Sequence, residues 1–576
     1  MKDTHLTAAR LLALYDQVAE AEDAIPRLRR FVLDLAVRGK LVAQDAGDEP
    51  AAELLKRIAK EKARLVKAGE IRASKVANPP MSEVLYDLPA NWAWASLGTI
   101  FNYDAGDKRD PKALDKAMWL LELEDLEKDT GRLVDRVLAG QRESQSTKSE
   151  FRKDDILYGK LRPYLNKVIV ADQQGYSTTE IVAIRPFVAL CSEYCALALR
   201  RPDFVDYVTR LGQGTKMPRL RTEDAVVAPF PLPPLAEQRR IVGRVDELMA
   251  LCDQLQAARA GERAVRDRLT TATLSRLTDP DQPPEAAPQN ARFALHSLPT
   301  LTTHAAQIKT LRQTILNLAV RGKLVAQDPT DEPAAELLKR IAKAKALRVK
   351  AGQIPKKADP VRDPVWGQGI GPSGWSEIAL GQVTDVITSG SRGWGEFYSK
   401  TGPGFVRAQN IRFGKLRLDD LACVNPPSNS EGSRTQVVRN DLLIVITGAG
   451  VTNPALLDQD LGEAYVSQHV GLVRPSDTAL SPWLLHCLLA DSGGRAELVK
   501  RAYGAGKPGL NLDNIRNLTI PLPPLAEQHR IVARVDALMA LCDQLESSLT
   551  TATTTRSRLL QALLHEALGH KLEAAE

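Results

Sequence analysis

The chain has 576 residues, with 77 Lys and Arg against 71 Asp and Glu, a net charge of +6. That length excludes a single small domain and suggests about four, while the charge permits nucleic-acid contact without demanding it. No apolar run is long enough to span a bilayer. No signal peptide follows Met1, and the six cysteines are scattered without zinc-site spacing, so the expected compartment is the reducing cytoplasm.

Residues 1–88 read as helical. LLALYDQVAEAEDAIPRLRRFVLDLAVRGK has apolar residues at helical spacing, with Pro26 expected to kink or split it and Gly39 to stop it. Asp48-Glu49-Pro50 predicts a second helix, with an acidic cap and proline in its first turn, ending at Gly69. Residues 89–230 carry short β-rich runs (DDILYG, NKVIVA, EIVAIRP) between turn residues, as expected of a mixed α/β domain. At 231–277 a proline hinge launches a long helix. Its apolar positions Ile241, Val245, Leu248, Cys252 and Leu255 alternate four and three, the spacing of a heptad seam. The polar, proline-bearing stretch 278–300 reads as a linker.

Then the plan repeats. LAVRGKLVAQDAGDEPAAELLKRIAK (35–60) returns at 318–343, differing only at Ala46/Pro329 and Gly47/Thr330. PLPPLAEQRRIVGRVDELMALCDQLQ (231–256) returns at 521–546, differing only at Arg239/His529, Gly243/Ala533, Glu247/Ala537 and Gln256/Glu546. The seam recurs at Ile531, Val535, Leu538, Cys542 and Leu545. The second half therefore divides into a helical repeat (301–364), a second mixed domain (365–520) with runs DLLIVITG and HVGLVRP, and a final hinge and helix (521–576). A long internal repeat decides the architecture: an α+β chain, tandem-duplicated, whose two long helices are expected to pack antiparallel as a coiled coil about a pseudo-twofold axis. The domains begin and end alike, NWAWASLG against SGWSEIALG, but their interiors scarcely align. Scaffolds kept nearly identical around divergent inserts suggest one kind of task performed on two different targets.

Catalytic constellations are missing. Asn78-Pro79-Pro80-Met81 and Asn425-Pro426-Pro427-Ser428 resemble an amino-methyltransferase motif but lack the aromatic that would stack a flipped base. Gly504-Ala505-Gly506-Lys507 lacks the Ser or Thr of a phosphate loop and is followed by Pro508. Glu122-Leu123-Glu124-Asp125 reads as a solvated face, and His469 and His529 as polar-contact residues. What remains is recognition. In the first domain Lys160, Arg162, Tyr164 and Lys167 share one short turn, and Lys216, Arg219 and Arg221 share a loop before the hinge. In the second, Arg392 and Trp394, then Arg407, Asn410 and Arg412, then Lys507 and Asn511 are the candidates. Lys and Arg can hold phosphates; Arg and Asn can read base edges. Lys216 and Lys507 are expected in corresponding places.

PLPPLAEQ with IV-x-R-V-D-x-L, and LAVRGKLV with DEPAAELLKRI, resemble the specificity subunits of type I restriction-modification enzymes, over essentially the whole chain. The resemblance implies two target-recognition domains held apart by the coiled coil, each reading one part of a split double-stranded DNA sequence, and a chain that is not itself an enzyme. It implies two modification subunits as partners, using S-adenosylmethionine, and restriction subunits using ATP and magnesium, with no cofactor or metal in this chain. A self-contained methyltransferase or nuclease, or a coiled-coil scaffold that binds no DNA, are the alternatives.

Overall fold

A computed structural model describes residues 20–71, 86–212, 216–279, 286–354, 372–426, 432–502 and 509–568. Helix α1 spans Ala24–Val37. Pro26 lies in its first turn, where a missing N–H costs little; residues 1–19, the earlier part of the expected helix, lie outside the described residues. Gly39 follows in the left-handed region (φ +66), as does its copy Gly322 (φ +66). A Cβ there would stand 2.4 Å from Cγ of Pro89 or of Pro372, so only glycine fits. Helix α2 (Ala51–Lys67) is capped by Pro50, not by the acidic pair before it. Asp48 is drawn away to a bidentate pair with Arg240, at 3.2 and 2.6 Å.

The chain divides into two compact units, Met1–Gly261 with Thr553–Glu576, and Glu262–Ala552. In the first, β1 (Ala93–Ser96) enters the domain and its far end returns beside it as an antiparallel partner, Pro229–Leu232. Between them, β2 (Phe101–Tyr103), β3 (Ile156–Gly159), β4 (Val168–Val170) and β5 (Ile181–Pro186) make an antiparallel sheet in the order β2-β5-β3-β4. A second four-stranded sheet joins Asp107–Arg109, Lys148–Phe151, Gly175–Thr178 and Trp119–Leu121 in that order. Helix α3 (Ser192–Arg200) crosses the first sheet, and its Tyr194 hydroxyl donates to the Pro231 carbonyl at 2.9 Å.

After the prolines, α4 runs unbroken over Leu235–Leu277. Its seam is used in parts. Ile241 and Val245 are fully buried in one cluster with Val32, Leu33 and Ala36 of α1 and with Trp92 and Tyr194 of the domain; Leu248 packs at its margin. Cys252 is buried and Leu255 half-buried. Helix α1 runs antiparallel to this stretch: Arg29 near its start pairs with Asp253, and Gln44 beyond its end donates to Glu237 at 2.6 Å. It runs parallel to residues 557–568: Ser557 donates to Asp23 at 2.8 Å, and Lys40 donates to the Leu568 carbonyl at 2.8 Å. Leu560, Leu563 and Leu564 close over Ala21 and Ala24.

The second unit repeats this plan. The expected linker is in part a helix, α5 (Ala286–Leu301); residues 280–285 lie outside the described set. Helices α6 (Ala305–Val320) and α7 (Ala334–Lys350) copy α1 and α2. Strand β6 (Ser376–Ala379) pairs with Thr519–Leu522 as β1 does with its partner. Strands β7 (Thr384–Ser389), β8 (Leu442–Val445), β9 (Pro454–Leu456) and β10 (Val470–Pro475) form a sheet ordered β7-β10-β8-β9. The interiors that scarcely align in sequence thus share the topology of this one sheet. Helix α8 (Ser481–Leu489) carries Trp483, whose Nε1 donates to the Pro521 carbonyl at 2.9 Å, in the place of Tyr194. Helix α9 (Leu525–Ala567) buries Ile531, Val535 and Cys542 among α6 and domain residues, with Leu538 and Leu545 at the margin. Arg312 of α6 pairs with Asp543 and Glu546, and Gln307 donates to Asp267 at 2.8 Å. In each unit, therefore, the start of one long helix and the end of the other run antiparallel, and a short repeated helix contacts both.

The repeated hinge is a clasp. Glu237 is buried and accepts from Trp92 Nε1 at 3.0 Å; Glu527 accepts from Trp375 Nε1 at 2.9 Å. Gln238 and Gln528 donate back to the hinge carbonyls of Pro233 and Pro523 at 3.0 and 2.8 Å. Burial raises the pKa of both glutamates. Every side chain of this clasp belongs to one of the repeated or shared segments, so neither copy can change a member alone without stranding a buried polar group.

Candidate nucleic-acid interface

Each domain is braced by a buried carboxylate. Asp155 takes Arg185 Nε and Nη2 at 2.7 and 2.6 Å, and Asp441 takes Arg474 Nε and Nη2 at 2.8 and 2.7 Å. The preceding residues, Asp154 and Asn440, are left-handed (φ +69 and +73), and their carbonyls accept from Ser192 and Ser481. This brace fixes the two turns that follow. Tyr158 pairs with Val168, and Ile444 with Pro454. The connections that remain, 160–167 and 446–453, are both eight residues long.

The two turns have the same backbone course. The amides of Lys160 and Ile446 donate to the carbonyls of Glu180 and His469, both at 2.9 Å, and the carbonyls of Lys160 and Ile446 accept from Leu220 and Leu510 at 3.0 and 2.8 Å. Left-handed residues fall at matched places, Arg162 (φ +53) with Gly448 (φ +93) and Asn166 (φ +51) with Thr452 (φ +75). In the first domain this brings together two expected basic segments: Leu161 bridges to Arg219, and the Arg162 amide donates to Pro218 at 2.7 Å. Tyr164 and Lys216 are exposed there, and Lys160 and Arg162 are half-buried. Arg219 is exposed but held by Glu180 at 3.0 Å, which raises its pKa, as Asp224 does for Arg221. Lys167 points inward, its Nζ donating to the Leu123 carbonyl at 2.6 Å, and burial lowers its pKa.

In the second domain the expected residues scatter. Arg392 is exposed and adjoins this turn's neighbours, because Ser391 bridges to Ser467 and Gly390 donates to Val470. Trp394 is interior, 6% exposed and stacked on Phe405 with Tyr465 at its edge, so it is a core residue and not a stacking platform. Asn410 is likewise buried: its Oδ1 accepts from the Arg407 amide at 2.9 Å and its Nδ2 donates to the Arg417 carbonyl at 2.9 Å. Arg407 donates to the Asp420 carbonyl, while Arg412 is exposed on a hairpin tied to Pro454 through Gly414. Asn511 caps the helix Leu512–Arg516. Lys507, with the rest of 503–508, lies outside the described residues, as does Asn78-Pro79-Pro80-Met81. Counting back from Leu220 and Leu510 sets Lys507 against Met217, one place from the expected match with Lys216. Glu122 to Asp125 is a tight turn, its Asp125 buried and held by Arg142, and no described group of side chains could hold a metal ion.

Residues 425–552 match the family model described as the type I restriction modification DNA specificity domain. The chain is 32% identical to the type I restriction enzyme EcoAI specificity subunit of Escherichia coli, covering 95% of this chain and 94% of that one. It is 31% identical to the EcoEI specificity subunit of the same species, with the same coverage of both. The chain belongs to the type I specificity subunits. A crystal structure of the HsdS subunit from Thermoanaerobacter tengcongensis aligns over 85% of this chain and 100% of its own, at 22% identity and a TM-score of 0.41.

For this specificity subunit, the turn 446–453, which carries no cation, was not among the candidates read from the sequence, although its backbone matches that of 160–167; the exposed Gln468 and His469 lie beside it. A signal was present. DDILYG and DLLIVITG both place Asp before an apolar strand, and EIVAIRP and HVGLVRP both end in Arg-Pro; those are the Asp155–Arg185 and Asp441–Arg474 braces. No helix among the described residues is long and apolar enough to cross a membrane.

Proposed function

We propose that this chain is the DNA-reading subunit of a type I restriction-modification complex, taking one half of a bipartite double-stranded target with each domain. The observation that carries the reading is the pairing of identical scaffolding with divergent turns. The hinge clasps and the order of one four-stranded sheet are the same in both units, while 160–167 presents cations and an aromatic ring and 446–453 presents glycines. Two rigid frames offering different side chains at equivalent places suit two different half-sites. The chemistry is assigned to partners: modification subunits that methylate adenine with S-adenosylmethionine, and restriction subunits that consume ATP with magnesium. The duplicated surfaces 35–60 and 318–343 would dock two modification subunits, one each.

Exchange of residues 89–230 for the corresponding domain of another specificity subunit tests this. With modification subunits present, mapping of methylated adenines should show one half of the motif replaced and the other retained. Replacement of both halves, or of neither, refutes one half-site per domain. Mass measurement of the saturated complex should find two modification subunits per chain; one would refute the docking assignment.

A further inference from the structure

The 160–167 turn contains a conflict between residue and backbone. Arg162 adopts φ +53, a conformation that a bulky L-residue rarely takes, at a place where the second domain has glycine (Gly448, φ +93). The backbone leaves little choice. The Arg162 amide is held by Pro218 at 2.7 Å, its carbonyl accepts from Leu165 at 2.8 Å, and Asn166 anchors the far end to the Arg200 carbonyl at 3.2 Å. The strain gains nothing within the unit. Among the described residues no hydrogen bond or ion pair engages the guanidinium, and its Nε is buried without an acceptor. Of the neighbouring cations, Arg219 is held by Glu180, Arg221 by Asp224 and Lys167 by a carbonyl, while Lys160 and Lys216 have no side-chain partner among the described residues and, unlike Arg162, no left-handed backbone. A strained residue whose donors are left open, on a turn whose backbone is tied at both ends, is arranged to meet a group from outside.

Building on the DNA-reading function proposed above, we propose that Arg162 is a specificity-determining residue that reads a guanine in the half-site taken by the first domain. Arginine suits this acceptor because its planar fork matches the O6 and N7 pair that guanine presents in the major groove. The half-buried stem and immobile backbone fix the fork's direction, which a flexible phosphate contact would not need. With Gly448 at the matched position, the second domain reads nothing through it.

The test uses the full chain with its modification subunits, Arg162→Gly and Arg162→Lys variants, and the methylated motif as readout. Glycine relieves the strained backbone, so Arg162→Gly should fold at least as well as wild type. It should relax one G·C position of one half-site, lowering discrimination there on the order of 10- to 100-fold, with the other half-site untouched. Arg162→Lys, which loses the fork but keeps the charge, should relax the same position. An unchanged motif overturns the assignment. So does a uniform loss of methylation with the motif intact, which is the signature of a phosphate contact. Failure of the wild-type complex to methylate any bipartite motif would instead sink the proposed function itself.

Discussion

Replacing Asp155 with alanine tests the brace beneath the first recognition turn. Asp155 is 2% exposed and accepts three donors: Arg185 Nε at 2.7 Å, Arg185 Nη2 at 2.6 Å and the Arg152 amide at 2.8 Å. Asp155→Ala strands all three. Breaking a buried pair by removing one partner costs roughly 3–5 kcal/mol. The Arg185 side chain is 27% exposed, so water can partly re-solvate it; the lower end, about 3 kcal/mol, is expected. At roughly 2–4 °C per kcal/mol for a unit of this size, the melting transition of the first unit should fall by about 6–12 °C. Asp155→Leu combined with Arg185→Met removes both charges and should restore most of that loss. Scanning calorimetry of the full chain reads both effects. Asp441→Ala should lower the second unit's transition by a similar amount, and the two losses should add. A single variant that melts like wild type, or a double variant that falls as far as the single, would refute the idea that a buried carboxylate holds the turn.

Leu248→Asp and Leu538→Asp put a charge at the margins of the two cores and should each cost several kcal/mol, read by chemical denaturation; unchanged midpoints would remove those leucines from the packing. Trp394→Ala should destabilise the second unit by about 3 kcal/mol and leave the methylated motif unaltered, whereas an altered motif with normal stability would return Trp394 to the interface. His486 is buried, and desolvation lowers its pKa to about 4. The unfolded chain therefore holds more protons between about pH 4 and 6.5, so stability is lost as pH falls through that window, by up to about 3 kcal/mol. His486→Leu, which copies Leu197 at the matched place in the first unit, should flatten that acid loss, and a melting series that stays equally steep would refute the assignment. Glu237→Gln should lower stability, because Trp92 Nε1 and Gln44 Nε2 each donate to one of the Glu237 oxygens and a carboxamide can accept at only one of them; an unchanged melting transition would mean that the clasp does not rest on both contacts.

The duplicated frame was legible because its physics is local. Prolines launch helices, glycines end them, and heptad spacing marks the buried stripe, as Ile241, Val245, Ile531 and Val535 bear out. What the stripe packs against was not legible. α1 and the domain take the first turns of α4, and nothing in a heptad names its partner. The candidate binding surface was legible only where cations happened to cluster. Lys160, Arg162 and Lys216 converge, but Trp394 and Asn410 were misread because exposure is a tertiary property: an aromatic in a glycine-rich loop and an amide among arginines are as compatible with a folded interior as with a surface. The shared interior sheet was hidden because its strands are only three to six residues long, so register, and not residue identity, carries the likeness.

The division of the chain into its two units has a consequence for how it is made. Residues 262–552 are contiguous, so the second unit has all of its parts once they have left the ribosome. The first unit has waited since residue 261 for the segment from Thr553 onward. Until that segment arrives, the face of α1 that meets Leu560, Leu563 and Leu564 is bare. The earlier-translated unit is therefore the later to finish, against the usual N-terminal-first order. Its closure joins residues more than 530 positions apart, as Asp23 and Ser557 show, and so waits on the slowest kind of contact a chain can form. A nascent chain halted between the two units should be open to a holding chaperone or a protease along α1, and protected there only after the final helix has emerged.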